Sequence, residues 1–185
     1  MQSGDLNQMT SGPFSAAADL ILDGDPGRAR LRPVPPSSCV GLSRAIVAMP
    51  PWSEMHYEAD AMSGYLGAGE DGARRYVIEI DGTKVGAVSV RYPWLRGAYL
   101  ELLALLPAFQ NQGIGTAVLD WLEDEALRRD ARNLWACASS FNAAALRFYA
   151  RHGFAETALL SDLVADGFNE VLLRKFPLGL PADGA

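Results

Sequence analysis

Hydrophobic positions along this chain fall into runs of two periods. Arg75 to Ile80 and Lys84 to Tyr92 are apolar-rich segments flanking Asp81-Gly82, a dipeptide that accepts left-handed backbone and so closes a tight hairpin. Tyr99 to Leu106 carries one charge, Glu101, and Leu134 to Ala138 carries none; runs of this kind suit strands covered on both faces. Between them Ile114, Val118, Trp121, Leu122 and Ala126 recur at helical spacing and predict a helix from Gly113 to about Arg129. Upstream the pattern predicts a strand near Ala29 to Val34, a helix capped by Ser38 running to about Ala48, and a second helix from a Ser53 cap to about Leu66, with Glu54 in its first turn. Met49-Pro50-Pro51-Trp52 separates the two helices, because proline restricts the residue before it. Downstream, Asn142 to His152 reads as a short helix with an Asn cap and Gly153 at its exit. Thr157 to Val164 and Asn169 to Phe176 form a terminal strand pair joined by Ala165-Asp166-Gly167-Phe168. Strand, two helices, three strands, helix, strand, helix, two strands is the order of an α/β domain with a mixed sheet and helices on both faces.

The 185 residues, 49% of them hydrophobic, favour one domain with a sizeable core. Residues 1–28 are rich in Gly, Ser, Asp and Ala and broken by Gly24-Asp25-Pro26-Gly27, so they read as a poorly ordered arm or an extended start; 29–176 is the domain and 177–185 a tail. A net charge of −6 argues against a nucleic-acid surface and is compatible with a cationic small molecule or peptide as partner. No apolar run approaches the roughly 18 residues of a membrane-spanning helix, and Asp5, Asp19 and Asp23 interrupt any signal-peptide pattern. Two cysteines, Cys39 and Cys137, and two histidines leave no disulfide framework and no metal site. Reduced thiols in the cytoplasm are the simpler reading.

The loop after the Tyr99 to Leu106 strand carries the most chemistry. It passes through Gln110-Asn111-Gln112-Gly113-Ile114-Gly115 into a helix whose first turn, Gly113 to Thr116, has no acidic group. Free N–H groups and a positive dipole end at such a helix start make an anion site, and glycine lets a phosphate approach the backbone. Neither a P-loop nor the fuller dinucleotide fingerprint is present. A tight strand-to-helix turn would explain the glycines equally well.

Pro107 to Gly115 resembles the Q/R-x-x-G-x-G/A signature of the GNAT superfamily of N-acetyltransferases, and Asn142-Ala143-Ala144-Ala145-Leu146-Arg147-Phe148-Tyr149 followed by Gly153-Phe154 matches that family's second element. Pro51-Trp52-Ser53-Glu54 is similar to the acceptor-side region of ribosomal-protein alanine acetyltransferases. The resemblance covers about residues 29–176. It implies a mostly antiparallel sheet splayed between its fourth strand (Tyr99 to Leu106) and its fifth (Leu134 to Ala138), with acetyl-CoA wedged between Leu105 and Ala138 as the lips. It further implies a pyrophosphate on the loop Gln110, Asn111, Gln112, Gly113, Ile114, Gly115 and Thr116. The pantetheine arm would pair with Leu103, Ala104, Leu105 and Leu106, and an oxyanion would meet a backbone N–H near Leu105. A homodimer is common in the family.

Transfer to an amine needs a base for the amine proton and an acid for the departing thiolate. Glu101 is the leading base, as the one acid in a buried-looking strand; a salt-bridged glutamate is the plainer alternative. Tyr149 is the candidate acid, at the position of the family's tyrosine, and Asn142 serves the cofactor, the helix cap or both. Cys137 stands where some members carry a catalytic glutamate, which shifts weight to Glu101; it reads as a small core residue. Trp52 and His56 are the candidate acceptor-binding residues, beside Glu101, with Tyr57 and Tyr65 as a possible aromatic wall. Trp94 and Arg96 sit in a predicted hairpin loop, and His152 in a last helical turn that favours positive charge. The implied activity is acetyl transfer to a small amine or a peptide N-terminus; a non-catalytic acyl-CoA sensor and a nucleotide-binding domain are the competing readings.

Overall fold

Two tight hairpins organise the sheet. Asp81 and Gly82 both take positive φ (48° and 77°), the geometry that matches strand twist, and join β3 (Ala73–Ile80) to β4 (Thr83–Trp94). Leu95 and Arg96 do the same (41° and 62°) between β4 and β5 (Gly97–Leu105). The strand therefore runs on through Trp94, where the sequence suggested loop. This computed structural model describes Phe14, residues 17–22 and residues 28–179.

The described strands form one eight-stranded sheet in the order β1-β2-β3-β4-β5-β6-β8-β7, with β1 at Ala18–Ile21, β2 at Arg28–Pro33, β6 at Asn133–Ser139, β7 at Ala155–Ala165 and β8 at Phe168–Lys175. Every neighbouring pair is antiparallel except β5 and β6. The fold is thus the mixed, mostly antiparallel α/β sheet expected. Strand β1 extends it upstream of residue 29: Leu20 is buried, and Phe14 packs on Trp121 and Tyr92 at 5.6 and 5.7 Å. The rest of the 1–28 arm, and the tail beyond residue 179, lie outside the described residues.

Side chains alternate across the strands and fill two cores. Val77, Ala87, Leu102 and Ala104 meet α1 (Pro36–Val47) and α2 (Ala59–Gly67) through Leu42, Ile46, Met62 and Leu66. Tyr76, Ile78, Val88, Val90 and Leu100 meet α3 (Ile114–Leu127) through Ile114, Val118 and Leu122. Helix α4 (Ala143–Arg151) adds Tyr149 to this second core.

Two helix starts differ from expectation. Helix α1 begins at Pro36, whose fixed φ suits a first helical position; Ser38 lies inside the helix, buried, its hydroxyl without a partner among the described residues. The second helix begins only at Ala59, after Glu58. Residues Pro50 to His56 form turns instead, and His56 at φ 57° cannot continue a right-handed helix from a Ser53 cap.

The feature that positions the site is a fork in the sheet. Pairing of β5 with β6 stops at Leu100 and Ala136, although β5 stays paired with β4 to Leu105 and β6 with β8 to Ser139. Beyond the fork, one edge of Glu101 to Leu105 has no strand beside it among the described residues. A bulge at Glu101, the extra residue between the pairs Val90–Leu100 and Ser89–Leu102, bends β5 at this point.

Candidate active site

At the end of β5 the chain crosses a short 3-10 turn, Pro107–Phe109, and reaches the loop at Gln110. Asn111 (φ 60°) and Gly113 (φ 79°) are left-handed and swing the chain into α3. A Cβ on Gly113 would touch nothing within 4 Å, so the requirement there is conformational. Gly115 is small for a different reason: a Cβ would sit 3.1 Å from the Phe148 ring of α4.

Helix α3 has no side-chain cap and no acid in its first turn. Its first backbone bond runs from Ala117 N–H to Gly113 O, which leaves the N–H groups of Gln112 to Thr116 without backbone partners among the described residues. Fourteen residues of dipole end here. Gln110 Nε2 donates to Leu105 O and Gln112 Nε2 to Ala108 O, both at 2.8 Å; these side chains brace the loop while its backbone donors stay open. Thr116 Oγ1 lies 3.0 Å from His152 Nε2, and His152 Nδ1 lies 2.8 Å from Phe148 O. With Nδ1–H donating to that carbonyl, Nε2 accepts the threonine hydroxyl. His152 thus links α3 to α4 and is structural. The loop and the free edge of Glu101 to Leu105 together fit an acetyl-CoA: open N–H groups for its phosphates, an unpaired strand edge for its arm.

A cleft of about 210 Å³ opens at the fork. Strand β5 lines it with Tyr99 to Leu103, β6 with Cys137 to Ser139, and α4 with Asn142, Ala145 and Tyr149. Trp52, Met55 and Tyr57 close it from the turn before α2, and Leu163, Val164 and Glu170 from β7 and β8. Asn142 Oδ1 accepts the Ala145 N–H at 3.1 Å, so this residue caps α4 and faces the cleft as well. Tyr149 is buried, and burial first, then the nearby Cys137 and Glu170, push its phenol up. A larger, open depression of about 540 Å³ at the far end of α3, beside Leu127 and Pro177, contains none of these residues.

The two carboxylates of the cleft differ sharply. Glu101 is filled by donors: Arg91 Nε at 2.5 Å on one oxygen, Ser89 Oγ at 3.0 Å and Tyr65 OH at 3.1 Å on the other. Arg91 continues to Glu70, and Glu70 to Arg75. Glu170 is only 7% exposed and accepts one hydrogen bond, from Ser139 Oγ at 2.6 Å. Burial pushes its carboxyl up, opposed by the Ser139 hydrogen bond.

Several expected residues fall elsewhere. His56 is exposed and absent from the cleft lining, because its left-handed turn directs the chain outward before Tyr57. Tyr65 lies under the Arg75 guanidinium, 4.4 Å from its ring centre, and bonds Glu101 from the side. Trp94 stacks on Tyr99 at 4.6 Å and meets Trp135 edge-on, while Arg96 is exposed and offers its carbonyl to Asn133. Ala104 points into the α1–α2 core, and Leu105 and Leu106 pack beside the cores rather than lining the cleft. The sequence reading missed Glu170 and Ser139; strand alternation alone makes Glu170 an outward-facing polar residue.

The sequence pattern of the acetyltransferase (GNAT) family matches residues 41–154. Over 132 residues the chain is 28% identical to the [ribosomal protein bS18]-alanine N-acetyltransferase of Escherichia coli K12, covering 70% of this chain and 83% of that protein. It is 32% identical over 124 residues to the streptothricin acetyltransferase of Streptomyces lavendulae, covering 65% and 66%. The crystal structure of the Escherichia coli ribosomal-protein-S18-alanine N-acetyltransferase superposes with a TM-score of 0.62 at 18% identity over 85% of this chain and 98% of that one, a likeness of fold. Forked sheet, open helix start and matched sequence agree: the chain belongs to the GNAT family of acyl-CoA-dependent N-acetyltransferases.

Proposed function

We propose that this protein moves the acetyl group of acetyl-CoA to a primary amine by direct attack, with Tyr149 as the acid for the departing sulfur. The observation that carries the proposal is the fork between β5 and β6, which joins an open anion site at one end to a cleft holding a buried tyrosine at the other. Acetyl-CoA supplies the activated acyl group. The N–H groups of Gln112, Gly113, Ile114, Gly115 and Thr116 hold its pyrophosphate, and alternate backbone groups of Glu101 to Leu105 hold its arm. Attack needs no covalent enzyme intermediate, and Cys137 has no histidine in the cleft to activate it. A phenol with a raised pKa is fully protonated near pH 7, so Tyr149 holds a proton in the cleft for the departing sulfur.

The acceptor approaches from the side of Trp52 and Tyr57, whose rings line the cleft. A small cationic amine and a peptide N-terminus both present the group required, and relatives named for ribosomal alanine and for streptothricin span that range. In this reading Glu101 fixes the bulge of β5, with Arg91, Ser89 and Tyr65 all donating to it.

The test is release of free thiol from acetyl-CoA against a panel containing spermidine, an aminoglycoside and an Ala-initiated peptide. Turnover with at least one amine, reduced ~10²-fold or more in Tyr149→Phe with acetyl-CoA binding intact, is the expected outcome. Tight acetyl-CoA binding with no turnover on any amine would identify a sensor instead.

A further inference from the structure

We infer that Glu170 takes the proton from the attacking amine, and that the acceptor therefore enters the cleft as a cation. The inference rests on the N-acetyltransferase reading above and assigns that site its missing base.

Glu170 is held by strand register, opposite Ser139 of β6 on one side and Leu160 of β7 on the other. Its side chain is carried to the cleft wall and sealed there, 7% exposed, with Ser139 donating to Oε1. No arginine, lysine or histidine is among the residues lining the cleft. The titratable groups that face it are Tyr57 from the turn, Tyr99 from β5, Cys137 from β6 and Tyr149 from α4. All are neutral near pH 7, and each is pushed up by burial first and by the Glu170 charge among later causes. Glu101 also lines the cleft but is matched by Arg91. One buried carboxylate, Glu170, thus has no cation beside it among the described residues that line the cleft.

Such a group is unfavourable unless it picks up a proton or meets a cation. A primary ammonium supplies both. It pairs with the carboxylate on entry, and the proton then passes to a Glu170 oxygen, leaving a neutral amine. The raised pKa of Glu170 narrows its gap to an alkyl ammonium at about 10, which eases the transfer. The amine nitrogen forms the new C–N bond at the thioester carbon, and the C–S bond breaks with its electron pair on sulfur. Tyr149 gives its proton to that sulfur, and the second amine proton restores the phenol. Glu170 releases its proton to solvent, so one ammonium and one thioester become one amide, one thiol and one proton.

A purely structural Glu170 would need only to accept from Ser139, which glutamine also does. Glu170→Gln is therefore the discriminating variant, assayed with the best amine of the panel across pH. We expect kcat to fall ~10²-fold or more, loss of the acidic limb of kcat/KM, an unchanged KM for acetyl-CoA, and a melting temperature equal to or above that of the parent. Ser139→Ala removes the donor that holds Glu170 down and should move the acidic limb of kcat/KM to higher pH. Full turnover in Glu170→Gln with the acidic limb intact would overturn this inference alone. Absence of thiol release from the parent protein with every amine would overturn it together with the enzyme reading.

Discussion

Glu101→Gln separates holding a strand from handling a proton. The carboxylate is 12% exposed and accepts from Arg91, Ser89 and Tyr65 at the bulge of β5. The amide keeps its shape, and the Ser89 and Tyr65 hydroxyls can turn to accept from its NH₂ while its oxygen still faces Arg91. What disappears is the charge. A hydrogen bond to a charged group contributes about 1.5–3 kcal/mol against about 1 for a neutral one, so the loss is about 0.5–2 kcal/mol. Arg91 is not stranded, because Glu70 binds its other nitrogen at 2.8 Å and it is itself 26% exposed. Glu101→Ala, which strands the two hydroxyls and the guanidinium together, should cost more, about 2–4 kcal/mol, below the ~3–5 of a fully buried broken pair. For a chain of this length about 2–4 °C accompanies each kcal/mol, so thermal melts followed by circular dichroism should show Glu101→Gln lower by roughly 1–8 °C. Turnover per folded molecule, measured well below the melt, should fall less than about tenfold, against ~10²-fold or more for loss of a true base. An unchanged melting temperature with a ~10²-fold loss of kcat would refute this reasoning and return the proton-accepting role to Glu101.

Three further outcomes follow from single sites. Gly113→Ala should lose about 1–2 kcal/mol, because φ is 79° and no neighbour is touched, and Gly113→Asn should recover part of it; equal melting temperatures for Gly and Ala would contradict a left-handed residue there. Ser38→Ala should stabilise by about 1 kcal/mol or more, since it removes a buried hydroxyl with no partner and improves helix propensity, and a lower urea midpoint would show that the hydroxyl is satisfied. Glu170 has a folded pKa raised above its unfolded value, so the folded state binds more protons between them and stability must fall as pH rises from about 4 through the folded pKa. Urea midpoints should show that decline in the parent and a flatter profile in Glu170→Gln; identical slopes would mean that Glu170 titrates as it does when unfolded.

The sheet was legible because its signals are local. Asp81-Gly82 specifies a turn by its own backbone preferences, and the apolar run of β5, broken only by Glu101, reports helices on both sides of it. The misread elements are those where a distant partner decides. Ser53 looks like a helix cap, but the turns from Pro50 to His56 fold that segment over the cleft and delay α2 to Ala59. Ala18 to Ile21 carries a weak apolar pattern and becomes a strand only because β2 offers an edge and Phe14 finds Trp121.

The same division runs through the site. Its proposed cofactor half is made of backbone: left-handed Gly113, open N–H groups and a strand edge unpaired among the described residues, all in one stretch of chain. Backbone chemistry needs glycines at fixed places, so it leaves a motif. The proposed acceptor half is made of side chains from five separate stretches, Trp52 and Tyr57, Tyr99, Ser139, Tyr149 and Glu170, brought together by strand register and one helix. No spacing rule connects them. Glu101 stood out in sequence because it is an acid within an apolar run, yet that same position lets Arg91 reach and neutralise it from the neighbouring strand. Glu170 looked ordinary among Asn169, Arg174 and Lys175, and it is the acid left uncompensated, because Arg174 turns to Asn133 and Lys175 to Glu123. A carboxylate's usefulness as a base is set by the charges that fail to reach it, and only the folded chain reveals which those are.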